Sequence, residues 1–144
     1  MEDPAKITSS DLKGAIQAVA PFASIQLADR DYSLPSTQWV KVFNEWFRSK
    51  MFSFVGDKWD TRFDCDDFAR FYACFCQLAN YRSRPKARAE GLAVGELFYR
   101  IDGRGGHAIN VAMTEKGIQF IEPQNGEFIQ LSEIEKTTIW FVRF

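Results

Sequence analysis

The chain has 144 residues, the size of one ordinary domain, 1–144, able to bury a substantial core with no linker. Its 18 basic and 19 acidic residues give a formal net charge of −1, which argues against nucleic acid or an anionic membrane surface held by bulk charge. Apolar runs stay far below the roughly 20 residues that span a bilayer, and Met1-Glu2-Asp3-Pro4 lacks the basic region and apolar run of a secretory leader, so a cytoplasmic protein is expected.

From Ser9 or Ser10 to about Ala20, Leu12, Ala15, Ile16, Val19 and Ala20 recur at helical spacing, and Pro21 closes the run. Residues 29–35 read as loop. Ser36 caps a second helix in which Trp39, Val42, Phe43, Trp46 and Phe47 mark one broad core-facing side. Residues 51–63 read as irregular, aromatic and punctuated by Gly56. They lead into Asp64-Cys65-Asp66-Asp67-Phe68-Ala69, where Asp64 has the chemistry of an N-cap and Asp66 and Asp67 oppose the positive end of a helix dipole. The helix that follows, residues 68–79, is rich enough in Phe, Tyr, Ala, Cys and Leu to be buried almost all round.

The three cysteines, Cys65, Cys74 and Cys76, fall within that segment. Cys74 and Cys76 stand two apart on a helix and point in different directions, so a reducing compartment fits better than a disulfide framework. A zinc site is disfavoured, because there is one histidine and no Cys-x-x-Cys. Beyond the helix, residues 82–88 carry four positive charges with no interleaved aromatics, the composition of a solvated loop.

From Leu92 the period changes to two. Residues 92–101, 107–113, 118–122, 128–131 and 138–144 read as strands separated by glycine-bearing turns, among them Asn125-Gly126, a type I′ hairpin signal. Ser132-Glu133-Ile134-Glu135 has the spacing of a capping box. Helices first and antiparallel strands second give an α+β order, with the Cys65 helix packed on a C-terminal antiparallel sheet.

Register then joins the chemical groups. If residues 114–117 close a hairpin, Met113 pairs with Ile118, and counting back sets Ile109 opposite Glu122 and His107 opposite Gln124. His107, Glu122 and Gln124 share one face by alternation. If the Cys65 helix packs on that face, the chain supplies a thiol, an imidazole and a group to orient it, the logic of a nucleophilic hydrolase.

These motifs resemble a family. Asp64-Cys65-Asp66-Asp67-Phe68-Ala69 at a helix start, Gly106-His107-Ala108-Ile109-Asn110 on a strand and Ile121-Glu122-Pro123-Gln124 on the next are similar to the papain-like and transglutaminase-like cysteine hydrolases. The likeness is greatest to the C-terminal cysteine protease domain of the mushroom lectin Marasmius oreades agglutinin and its bacterial relatives. With Asp31-Tyr32-Ser33-Leu34-Pro35-Ser36, it covers roughly residues 29–130. The resemblance implies a papain-like or transglutaminase-like fold. It makes Cys65 the nucleophile, His107 the general base and Glu122 the residue that orients the imidazole. The agglutinin's sugar-binding domain has no counterpart expected here, so carbohydrate targeting is not carried over.

Asp64, Asp66 and Asp67 beside Cys65, with Glu122 near, disfavour a thiolate, and Ca²⁺ held by Asp66 and Glu122 would offset them. Calcium dependence in the agglutinin domain points the same way. The oxyanion hole would use the backbone N–H of Cys65 with Trp59, by resemblance, or Gln38, the papain-like option, while Gln124 supports the site. The expected activity is hydrolysis of a peptide or isopeptide bond in a peptide or protein substrate through a thioester on Cys65. Acyl transfer and a non-catalytic binding module on the same fold are the alternatives.

Overall fold

Side-chain hydroxyls start three of the helices. The computed structural model describes residues 5–56, 60–83, 90–102 and 104–144, and the expectations placed on Met1–Pro4, Trp59 and most of the basic stretch 82–88 fall outside them. A short strand β1 (Lys6–Thr8) runs into α1 (Ser9–Val19), where the Thr8 hydroxyl accepts the backbone N–H of Asp11. Strands β2 (Ser24–Gln26) and β3 (Asp31–Ser33) follow. Ser36 then caps α2 (Thr37–Val55) by accepting the N–H of Trp39. The next helix, α3, is Cys65–Ser83. Strands β4 (Gly91–Leu92), β5 (Val94–Ile101), β6 (Gly105–Thr114), β7 (Gly117–Glu122) and β8 (Glu127–Ile129) come next. The chain closes with α4 (Glu133–Thr137), which carries the expected reciprocal capping box of Ser132 and Glu135, and β9 (Phe141–Arg143).

The fold is α+β with two mixed sheets, one ordered β1-β3-β4 and one ordered β2-β9-β5-β6-β7-β8. The five C-terminal strands of the larger sheet pair antiparallel, as expected. Two parallel pairings, β2 with β9 and β3 with β4, make the sheets mixed. They involve strands of two or three residues, too short to carry a period of their own.

The larger sheet is buried on both faces. Val111 and Phe120 pack with α1 residues Leu12 and Ile16, while their neighbours Ala112 and Ile121 pack with Phe43, Phe47, Tyr72 and Cys76 of α2 and α3. Alternation along β6 and β7 therefore divides two cores between the two faces. Asn110 fastens α3 to the sheet by donating from Nδ2 to the carbonyls of Ala69 (2.8 Å) and Gly95 (3.0 Å). Buried polar groups of this kind contribute about 1 kcal/mol per bond and cost more when one partner is removed.

Both long helices differ from the expected pattern. The α2 helix runs on to Val55, through residues read as irregular, and ends where Gly56 takes φ of 77°. Its buried stripe is Val40, Phe43, Asn44, Phe47 and Met51, while Val42 and Trp46 face outward. The α3 helix buries Phe68, Ala69, Tyr72, Cys76 and Asn80 but exposes Phe71, Cys74 and Leu78, so it is not apolar-enclosed all round. One face of a helix on a sheet always looks away from it, and composition does not show which. No helix among the described residues is long and apolar enough to cross a membrane.

Candidate functional site

Cys65 opens α3, where the backbone N–H of Phe68 reaches the carbonyl of Asp64 at 3.0 Å. The N–H of Asp64 is taken by the carboxylate of Asp67 at 3.3 Å, so Asp67 rather than Asp64 supplies the capping side chain. Burial pushes the Cys65 thiol above its ordinary pKa; backbone hydrogen bonding from Ala108 opposes the rise, and the charges of Asp64 and Asp66 reinforce it. The carboxyl of Asp66 is raised as well, chiefly by its hydrogen bond with the Asp64 side chain. An activated cysteine is shifted the other way, toward thiolate.

The β6–β7 hairpin has the expected register, with Met113 opposite Ile118 and Asn110 opposite Ile121. Thr114 pairs with Gly117 as well, which tightens the loop to Glu115 and Lys116. The hairpin brings Nε2 of His107 to 2.6 Å from Oε2 of Glu122, and Oε1 of Glu122 accepts the backbone N–H of Gln124 at 3.2 Å. Tyr99, directly across from His107 on β5, meets its ring edge-on at 5.9 Å.

The Cys65 thiol lies at the backbone N–H of Ala108, the residue after His107. His107 shares its strand face with Ile109 and Val111, which pack in the α1 core, whereas α3 packs on the opposite face with Val94 and Ala112. No hydrogen bond links Cys65 to His107 among the described residues.

The supporting residues are scattered. Gln38 is exposed in the first turn of α2, Gln124 contributes its main chain, and Trp59 lies outside the described residues. Ligand atoms of Asp64, Cys65 and Asp66 lie within 4.8 Å of one another, but Glu122 is not among them. The Glu122 oxygens are hydrogen-bonded with His107 and with the N–H of Gln124.

The sequence reading missed an open groove of about 570 Å³. One wall is α2, with Asn44, Glu45, Arg48, Ser49 and Phe52; the other is the β7–β8 turn, with Asn125, Gly126 and Glu127. Asn44 holds the two walls together, donating from Nδ2 to the Gly126 carbonyl (3.0 Å) and accepting the Tyr72 hydroxyl at Oδ1 (2.5 Å). Asn125 and Glu127 brace each other, the Glu127 N–H reaching Asn125 Oδ1 at 2.9 Å and Asn125 Nδ2 reaching Glu127 Oε2 at 3.2 Å. Phe52 is 61% exposed, an aromatic face open to solvent. Glu45, Arg48, Ser49 and Phe52 have helical spacing, a signal obscured because the stretch after residue 50 read as irregular.

No family model and no curated protein matches the sequence. Among solved structures, one described as "PSL1a-E64 complex" has a TM-score of 0.76 at 21% identity, covering 96% of this chain and 51% of its own. A second, described as "Polyporus squamosus lectin bound to human-type influenza-binding epitope Neu5Aca2-6Galb1-4GlcNAc", has a TM-score of 0.73 at 21% identity, covering 96% and 49%. The chain spans about half the length of these structures. At this identity the likeness shows the fold alone.

The comparisons correct the expected assignment. Of the two structures sharing the fold over nearly the whole chain, the second is described as a lectin, and neither description names the expected family. The resemblance to papain-like and transglutaminase-like cysteine hydrolases is withdrawn as an identification. With it go the Cys-His-Glu peptidase or amidase, acyl transfer and the peptide substrate.

Proposed function

We propose that this chain is a non-catalytic binding module for carbohydrate, reading a glycan in the groove between α2 and the β7–β8 turn. The observation that carries the proposal is the composition of that groove, an exposed aromatic ring beside converging planar polar groups. Phe52 offers an apolar face for the C–H side of a pyranose ring, while Glu45, Arg48, Asn125 and Glu127 offer paired acceptors and donors for vicinal hydroxyls. The description of one fold neighbour, a lectin bound to a trisaccharide epitope, supports the same ligand class.

In this reading, Cys65, His107 and Glu122 are structural. His107 and Glu122 tie β6 to β7 beyond their last paired rung, and Cys65 seats the start of α3 beside Ala108. The papain-like or transglutaminase-like relationship is kept for architecture alone.

A panel of immobilised oligosaccharides, followed by calorimetry on the best binder, tests the module. Binding should appear, and Phe52→Ala should weaken it about tenfold by removing the apolar platform, with the far-ultraviolet spectrum unchanged. A panel on which no sugar is retained defeats the proposal. Undiminished binding by Phe52→Ala removes the groove as its seat.

A further inference from the structure

We infer that the groove selects uncharged sugars and rejects acid-terminated ones, a conclusion that rests on the carbohydrate-binding reading above. The charged groups lining it are the carboxylates of Glu45 and Glu127 and the guanidinium of Arg48, two negative against one positive. Neither Glu45 nor Arg48 forms an ion pair among the described residues, so neither charge is neutralised by a neighbour on the helix. The Asn125 amide holds the Glu127 carboxylate at the rim.

The chemistry of the two ligand classes then differs. A neutral sugar presents hydroxyls that donate to carboxylates and accept from a guanidinium, so it satisfies all three groups. A sugar acid adds an acceptor-only anion, which Arg48 alone can pair and which both glutamates repel. The preference runs opposite to the epitope of the lectin that shares the fold, whose terminal sugar, Neu5Ac, is an acid. That lectin's chain is about twice as long, so its sugar contacts need not lie in the part shared with this chain.

Calorimetric titration with Galb1-4GlcNAc, with Neu5Aca2-6Galb1-4GlcNAc and with a wider panel of neutral and acid-terminated oligosaccharides decides it. Neutral members should bind roughly fivefold or more tightly than their acid-capped counterparts, and the gap should narrow at high salt. Glu45→Gln combined with Glu127→Gln should close the gap by raising affinity for the acid-terminated sugars, whatever it costs the neutral ones in lost carboxylate acceptors; both side chains are exposed, and retained folding is read from the far-ultraviolet spectrum. Equal or tighter binding of the acid-terminated sugars overturns the inference while leaving the binding module intact. An empty panel overturns both.

Discussion

Nε2 of His107 and Oε2 of Glu122 lie 2.6 Å apart, with both side chains about one-sixth exposed, at 17% and 16%. The pair closes the open end of the β6–β7 ladder, whose last rung is Asn110 with Ile121. Removing the acceptor leaves a half-buried imidazole without its partner, at a cost of roughly 1–2 kcal/mol. Glu122→Leu should therefore lower the thermal midpoint by about 3–6 °C in a chain of this size, and Glu122→Gln by less. A calorimetric scan checks both. An unchanged midpoint for Glu122→Leu would show that the pair contributes nothing to the fold.

The cysteines should react in an order set by exposure and by thiol pKa. Cys74 is exposed, Cys65 is half-buried with its thiol shifted up, and burial raises the Cys76 thiol well above its ordinary value. Thiolate is the reacting species. Limited alkylation with peptide mass mapping should label Cys74 first, Cys65 more slowly and Cys76 only on unfolding. Labelling of Cys65 ahead of Cys74 would mean that its thiol is activated and that the structural role assigned to it is wrong.

Much of the hairpin region was legible because its rules are local. The turn at 114–117 fixes the register of β6 on β7, and that register alone places His107 beside Glu122. The Ser36 cap and the Ser132–Glu135 capping box were readable for the same reason. Partners distant in sequence were not. Ser24–Gln26 pairs with Phe141–Arg143 across more than a hundred residues, and three residues carry no usable period. Asn125-Gly126 was read as a two-residue type I′ turn, but Glu122 pairs with Glu127 around a four-residue turn in which only Gly126 takes positive φ.

The candidate site divides along the same line. Pairing across a hairpin follows from period two, but the face on which α3 lies depends on how two cores share one sheet. Strand alternation is silent on that choice when both faces are apolar. The groove was missed because its polar residues occupy the outer side of α2, and attention to the apolar stripe passes over them.

Alkaline stability should depend on Tyr99. Burial, reinforced by the charges of Glu135 and Glu122, pushes its hydroxyl up to about 12 from its ordinary value of 10.0. A raised folded pKa means that the unfolded chain loses its proton first, so the contribution is full below pH 10 and is lost as pH climbs toward 12. Denaturant midpoints measured across that window should fall more steeply for the wild type than for Tyr99→Phe. Parallel curves would exclude Tyr99 as the source of the alkaline loss.

The last prediction concerns Asn44, which joins the core to the groove. Its side chain is 3% exposed and spends both polar ends on partners, the Tyr72 hydroxyl on α3 and the Gly126 carbonyl in the β7–β8 turn. Asn44→Ala leaves two buried groups unpaired and opens space beside Phe43 and Tyr72, so a loss of about 2–4 kcal/mol is expected. Tyr72→Phe deletes only the hydroxyl and should cost about 1–2 kcal/mol. The two variants part on binding. Tyr72→Phe keeps the amide on Gly126 and should bind glycan like the wild type, whereas Asn44→Ala releases the turn that carries Asn125 and Glu127 and should bind at least about tenfold more weakly under conditions where it is fully folded. Equal affinity in folded Asn44→Ala would show that the turn is held by Gly126 and its neighbours without Asn44.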